Sequence, residues 1–243
     1  MNRRIHIWLL GPALLLMSVT AACNTGPESS GAGRASPPPS SIASTDGVAG
    51  PRNGIQEARL DLSAGAGQIT VQASSLGSTL YRVTDGGGTA PQVSFNAPIL
   101  NVGSPNRANG QMNPQVLAVV LNDEVRWTLN LNGGSTHELV DMRSGHIQSL
   151  TLAAGANEMD VELGPPHGVI PVRVTGGTSQ IALRIPDAAA ATVHLGGANS
   201  VTINGRSRGR VTGSATFGVG SSTTDRYNVD LMAGLNTLTI DQG

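Results

Sequence analysis

Cys23 is the only cysteine of the 243-residue chain, and its position suggests chemistry more clearly than that of any other residue. It follows three small residues, 20–22, and an apolar segment, 7–19, that is preceded by Arg3 and Arg4. This order is typical of a secretory signal, and the apolar segment is too short to cross a bilayer as a helix. An unpaired thiol in an oxidising compartment invites intermolecular disulfides, so we expect Cys23 to be modified.

Residues 19–23 resemble the lipobox of bacterial lipoproteins, with Thr20 at the position where that family usually has leucine. The resemblance implies removal of residues 1–22 and diacylation of Cys23. Two acyl chains hold a protein stably on a membrane, so the chain would be extracytoplasmic and lipid-anchored to the bacterial membrane. The alternative is an ordinary cleaved signal that a cysteine follows by chance.

The best candidates for acid–base chemistry are His137 and Glu158, which are 21 residues apart, one period of the repeat described below. Neighbouring coils of a repeat fold could place them side by side. Glycoside hydrolysis requires a pair of carboxylates, and no insertion beside the two residues would form a pocket. We therefore interpret them as an exposed surface pair and predict no catalytic residue. The alternative is a hydrolase or lyase that acts on wall polysaccharide through these two side chains.

The other histidines do not suggest a metal site. His146, His167 and His194 fall in different columns of the repeat, and no second cysteine is present. Metal ligands are expected to cluster, and the sequence has no phosphate loop or dinucleotide fingerprint. We predict neither a metal nor a cofactor.

Three arginines could contact an anionic partner. Arg206, Arg208 and Arg210 lie at alternate positions of an insertion between Gly205 and Arg226. On an extended strand they would share one face, where they could meet an anionic glycopolymer or a lipid headgroup. The alternative is that they are solvated arginines of a loop.

Composition excludes several classes of function. Without Arg3 and Arg4 the chain has 13 arginines, no lysine and 16 acidic residues, whereas nucleic-acid binding requires a basic surface. Two Trp, two Tyr and two Phe are too few for a stacking platform for bases or sugars.

The first quarter of the chain has the composition of a spacer. Residues 24–54 are rich in Gly, Ser, Pro and Ala, a composition that cannot bury enough apolar surface to offset its conformational entropy. About 30 residues of flexible coil reach on the order of 30 Å. We predict a signal peptide over 1–22, the lipidated cysteine and a disordered linker over 23–55, and one folded domain over 56–243.

The folded part repeats one phrase, in which two strands of alternating apolar residues flank a small-residue corner. The phrase occurs as LDLSAGAGQITV around Gly65, LNLNGGSTHELV around Gly134, LTLAAGANEMDVEL around Gly155, VRVTGGTSQIALRI around Gly177, VHLGGANSVTI around Gly197 and VDLMAGLNTLTI around Gly234. The alternation predicts strands with one buried face, and glycine at the corner permits a sharp bend or close backbone approach. A polar column follows the corner glycines: Thr136, Asn157, Ser179, Asn199 and Asn236. We interpret these side chains as partners for the bend and for one another. The alternative is a polar ladder that binds a ligand.

Such repeats bury their apolar faces by stacking. We predict an all-β, single-chain parallel β-solenoid of about six coils with a period of about 21 residues. The alternative is an antiparallel sandwich. The last coil, near Ile240, should leave an open strand edge that could pair with another chain. Glu138 falls at an inward position, and we expect the corner to slip by one residue so that Leu139 points inward instead.

The phrases, together with the ending RYNVDLMAGLNTLTID, resemble the toast-rack domains of bacterial envelope proteins, including the C-terminal domain of LiaF-type cell-wall-antibiotic response proteins. Members typically repeat GGASSVTI, close to GGANSVTI here, and carry a Pro-Gly turn like that at 164–168. The likeness is closest from Trp127 to Ile240 and looser from Ala58 to Val125. It implies a right-handed β-solenoid without known catalysis that takes part in envelope sensing, adhesion or regulation of membrane partners.

These observations predict a non-enzymatic envelope lipoprotein whose solenoid binds or scaffolds a partner, either an envelope protein or a glycopolymer. An adhesin or a structural stalk is the alternative that also lacks catalysis. The oligomeric state does not follow from the sequence.

Overall fold

The computed structural model describes residues 42–44, 47–86, 91–104, 116–221 and 224–243, and these residues form two sheets of eleven and nine strands. The strands in the first half of the chain are β1 Ile42–Ser44, β2 Gly47–Pro51, β3 Glu57–Leu62, β4 Gln68–Ser74, β5 Thr79–Asp85, β6 Gln92–Asn96, β7 Ile99–Gly103, β8 Val116–Asn122, β9 Arg126–Leu131 and β10 His137–Met142. Those in the second half are β11 His146–Leu152, β12 Ala156–Leu163, β13 Val169–Val174, β14 Thr178–Ile185, β15 Ala190–Leu195, β16 Ala198–Ile203, β17 Arg206–Val211, β18 Ala215–Val219, β19 Arg226–Leu231 and β20 Leu235–Gln242. The all-β prediction is confirmed.

Each repeated phrase forms one two-stranded layer, with its first arm in the nine-stranded sheet and its second arm in the eleven-stranded sheet. The six phrases give six layers, and β7 with β8 adds a seventh that no phrase predicts. The layers stack in the order β7/β8, β3/β4, β9/β10, β11/β12, β13/β14, β19/β20 and β15/β16, and all neighbours in this series pair in parallel. Successive central layers are one period apart, since Val140 faces Val161 and Val161 faces Leu183. This part of the domain is therefore solenoid-like.

The stack ends in antiparallel strands, so the sheets are mixed. At one end β5 pairs with β8, β2 with β5, β1 with β2 and β6 with β7; at the other end β17 pairs with β16 and β18 with β15. The prediction of a regular, wholly parallel solenoid is therefore corrected: the stack has a parallel centre and antiparallel caps. The sandwich alternative describes these caps but not the centre.

The layers are not stacked in chain order. The last layer, β19/β20, lies between β13/β14 and β15/β16: Leu238 faces Ile181 on one side and Val201 on the other. The predicted open edge near Ile240 is thus wrong, because β20 has a parallel neighbour on each side. The cap strand β17 forms that edge of the described sheet instead.

The inward side chains of both sheets form one hydrophobic cluster. Trp127 and Tyr227 are the largest of its fully buried members. The Trp127 Nε1–H donates to the Asn122 carbonyl oxygen at 3.0 Å, and the Tyr227 hydroxyl donates to the Gly164 carbonyl oxygen at 2.6 Å. Both polar atoms are thus satisfied inside the core, as burial requires.

Glycine is needed at the corners for close approach. A Cβ at Gly176 would clash with the Ala154 carbonyl oxygen of the neighbouring corner, whereas a Cβ at Gly177 would meet nothing within 4 Å. The first glycine of this Gly-Gly pair is therefore the constrained one.

Strand β2 lies within the segment that the sequence assigns to the linker. Residues Gly47–Pro51 pair with β5, and Gly50 is buried against the Tyr81 ring. Ordered structure therefore begins before the predicted boundary at residue 56. Residues 1–41, which include the predicted signal, Cys23 and most of the linker, lie outside the described residues.

Candidate functional site

The predicted pair of His137 and Glu158 is formed on the outer face of the eleven-stranded sheet. The residues face each other on β10 and β12, with 3.1 Å between His137 Nε2 and Glu158 Oε2. Their side chains are 58% and 47% exposed, and pairs this exposed contribute little to stability. The expected exposed surface pair is what the geometry shows.

A shallow groove of about 290 Å³ runs beside this pair and is lined by Gln68, Leu139 and Asp160 among others. Asp160, which was not among the predicted site residues, adds a second carboxylate on the same outer face, two residues after Glu158. The alternation of β12 was a sufficient signal for it, because residues two apart on a strand share a face.

Glu138 is buried in the core, contrary to the expected slip. It lies between Ile69 of β4 and Met159 of β12 in an unbroken register, and only 3% of it is exposed. Because the parallel ladders on both sides of β10 continue without a bulge, Leu139 faces outward. No hydrogen-bond partner reaches Glu138 Oε1, and burial raises the pKa of this carboxyl to about 7.

The three candidate arginines lie on β17, which is exposed and forms an edge of the described sheet. Arg206 faces Ile203 of β16, but Gly209 faces Val201, so β17 contains one extra residue, a bulge at which Gly209 has φ of 74°. The extra residue shifts the alternation by one. Arg206 and Arg210 therefore point to opposite faces of the strand, and the prediction of a shared face is wrong.

Arg210 lines an open groove of about 480 Å³ at the corners of the last three layers in the stack. The same groove is lined by Thr178, Asn199, Thr212 and Asn236 among others. The Asn199 Nδ2–H donates to Asn236 Oδ1 at 3.0 Å, as expected for the polar column. The sequence does not reveal that these two asparagines are neighbours, because they are 37 residues apart and only the insertion of β19/β20 brings them together.

Two of the remaining histidines lie together, which the sequence analysis did not expect. The ring centroids of His146 and His167 are 5.6 Å apart, whereas His194 Nδ1 lies 3.0 Å from the Thr216 hydroxyl. Among the described residues no group of three or more His, Cys, Asp or Glu side chains could hold a metal ion. The same residues contain no helix long and apolar enough to cross a bilayer.

Comparisons with known proteins give a family match and five matching chains among the solved structures, two of which are described here. Residues 39–184 match the family model Toast_rack_N, described as the N-terminal domain of toast_rack, DUF2154. A "putative cell adhesion protein" from Clostridium sporogenes ATCC 15579 is 14% identical, with a TM-score of 0.62 over 79% of this chain and 96% of that chain. A "putative adhesin" from Bacteroides fragilis NCTC 9343 is 12% identical over 76% of this chain and 93% of that chain, but its TM-score of 0.26 carries no argument. No curated protein matches the chain. The likeness to the Clostridium protein shows the fold alone.

Proposed function

Because the chain belongs to the family of the toast-rack N-terminal domain, whose model matches more than half of it, we propose that it is a non-enzymatic envelope lipoprotein. In this proposal a lipid on Cys23 holds the chain on the outer side of a bacterial membrane. The linker then carries the β-domain away from the bilayer, where it binds or scaffolds a partner.

The observation that carries this proposal is the capped parallel stack. Eleven strands at about 4.8 Å spacing make a sheet about 50 Å across, and its apolar side chains point into one continuous core. Polar outer side chains and antiparallel cap strands leave broad, regular faces. Such faces suit presentation of a surface better than enclosure of a small substrate, for which a concave, largely apolar pocket is typical.

Adhesion is the form of partner binding that the comparisons favour. The Clostridium protein with the similar fold is described as a putative cell adhesion protein, and we extend that role to this chain only as a proposal. We also propose that the layers wind in a right-handed sense, which parallel crossovers adopt almost without exception. Kinship with LiaF-type proteins is a further part of the proposal.

The family match runs over residues 39–184. It therefore includes the segment from Ala58 to Val125, where the sequence resemblance is looser, and ends before the layers β15/β16 and β19/β20. The resemblance of GGANSVTI and RYNVDLMAGLNTLTID to toast-rack phrases supports including these last layers in the same proposal.

The anchor and the display can be tested in one experiment on intact cells. Wild type and Cys23→Ala are fractionated and exposed to an external crosslinker, and crosslinked partners are identified. We expect wild type in the membrane fraction with an envelope protein or glycopolymer attached. We expect Cys23→Ala to be released. Continued membrane retention of Cys23→Ala would refute lipidation, and wild type without any external partner would refute display for binding.

The enzymatic alternative needs His137 and Glu158. If it were correct, His137→Ala and Glu158→Ala would each reproduce the envelope phenotype of a deletion. We expect both variants to behave as wild type, because the two side chains are exposed on the outer face of the sheet.

A further inference from the structure

The arginines of β17 have no acidic partner among the described residues. Six other arginines, in contrast, form ion pairs with described acids: Arg52, Arg59, Arg126, Arg143, Arg173 and Arg184. Arg206, Arg208 and Arg210 are exposed and are absent from every such pair. Arg82 of β5 is also in none of these pairs, but it is a single charge at the other end of the stack, whereas β17 carries three unpaired arginines on one strand.

The position of β17 makes this charge accessible. The strand pairs with β16 on one side only, and no described strand covers its other side. Arg206 and Arg210 are four residues apart, which corresponds to at most about 13 Å along a strand. One phosphate or carboxylate cannot contact both, whereas a chain with repeated anionic groups can follow the edge and contact all three.

The groove beside Arg210 adds neutral donors and acceptors to this charge. The Asn199 and Asn236 amides form a connected pair, and the exposed Thr212 lines the same groove, whereas the buried Thr178 hydroxyl is already bonded to the Asn157 and Gln180 carbonyl oxygens. Guanidinium groups bind oxyanions through paired N–H donors, and amides and hydroxyls complement sugar or polyol hydroxyls. Arginine beside a polar groove of this kind thus fits an anion that is carried on a hydroxylated backbone.

We infer that the β17 edge and its groove, which we call the β17 site, bind an anionic glycopolymer with repeated phosphate or carboxylate groups. This inference rests on the proposed display function, since it names the partner that the displayed domain meets. A membrane surface fits the site less well. A bilayer offers a plane of headgroups, whereas Arg206 and Arg210 point to opposite faces of an edge strand.

The test uses the full-length chain carrying Cys23→Ala, so that no acyl chain can contribute to binding. Polyphosphate and polygalacturonate serve as phosphate- and carboxylate-bearing probes, dextran serves as the neutral polymer, and affinity is measured at several salt concentrations. Arg206, Arg208 and Arg210 are replaced by glutamine together. The control is Arg82→Gln, because Arg82 is an exposed arginine on β5 at the other end of the stack.

We expect at least one polyanion to bind and dextran not to bind. The triple variant should bind at least about tenfold more weakly and with a shallower salt dependence, because fewer counterions are released. Arg82→Gln should bind within about twofold of the parent chain.

Three results would overturn the inference: no binding to either polyanion, unchanged binding of the triple variant, or an equal loss in Arg82→Gln. Vesicles with about 30% anionic lipid show whether the site binds a membrane surface instead of a polymer. Binding to the vesicles without binding to either polymer would also overturn the inference. If the triple variant does not fold, Arg210→Gln alone should weaken binding about threefold, and unchanged binding would contradict the site. Failure in this assay leaves lipidation intact, since binding in solution does not involve Cys23.

Discussion

Burial of Glu138 predicts that the domain loses stability as pH rises toward neutrality. The pKa of this carboxyl is raised from 4.5 to about 7 by burial in the apolar column of Ile69 and Met159. The folded state therefore holds a proton that the unfolded state releases above pH 4.5. The stability that this proton contributes is fully present below pH 4.5, falls between pH 4.5 and 7, and is lost above 7.

The size of the effect follows from the shift in pKa. A difference of about 2.5 units at 1.36 kcal/mol per unit gives about 3 kcal/mol between pH 4.5 and pH 8.5. Glu138→Gln removes the titrating group and keeps its shape. The free energy of unfolding of Glu138→Gln minus that of wild type should thus increase with pH by about 3 kcal/mol over this range.

Urea unfolding of both proteins at pH 4.5, 5.5, 6.5, 7.5 and 8.5 measures this difference directly. Leu139→Gln is the matched control, because Leu139 is the next residue of β10 on the outer face and the change neither adds nor removes a titrating group; its difference from wild type should change little over the same range. Arg143 holds the pKa of Asp141 below its usual range. The stability that Asp141 contributes to the fold is therefore lost only as pH falls into the acid range. Parallel pH profiles for wild type and Glu138→Gln would refute the burial of an unpaired carboxyl.

Two further predictions concern the corners and the order of the layers. Gly176→Ala should destabilise the domain by about 2 kcal/mol or more, because its Cβ would clash with a backbone carbonyl. Gly177→Ala is the control and should change the free energy of unfolding by less than about 0.5 kcal/mol. Equal effects of the two variants in thermal unfolding would contradict the corner geometry. Removal of residues 235–243 should destabilise the domain strongly, because β20 lies between two parallel neighbours and its loss separates β16 and β17 from the rest of the sheet. A circular dichroism spectrum and a melting temperature like those of the whole chain would show instead that β20 is a terminal strand.

The sequence predicts the content of each layer well and the order of the layers poorly. Alternation around small-residue corners identifies both arms of every repeated phrase. The phrases share one pattern of apolar residues, however, so each can pair with several others in the same register. Nothing local distinguishes Val201 from Leu238 as the neighbour of Ile181, and the choice depends on how the chain between Gly205 and Arg226 folds back as a cap.

The site residues show the same division. The neighbouring positions of His137 and Glu158 follow from the repeat. The alternation of β10 also places Glu138 inward, but because carboxylates are rarely buried a slip of one residue was predicted instead, and that prediction was wrong. The bulge on β17 had a signal in Gly209, because glycine inside a strand often marks one. The groove beside Arg210 had none, because it depends on the inserted layer.

Proposed display of the domain depends on attachment through Cys23, and the mass of the mature N-terminus tests that attachment most directly. Protein purified from membranes is digested, and its N-terminal peptide is analysed by mass spectrometry. We expect the peptide to begin at Cys23 and to carry a diacylglyceryl group on the thiol. A mature chain that begins elsewhere, or one that begins at Cys23 with a free thiol, would contradict it.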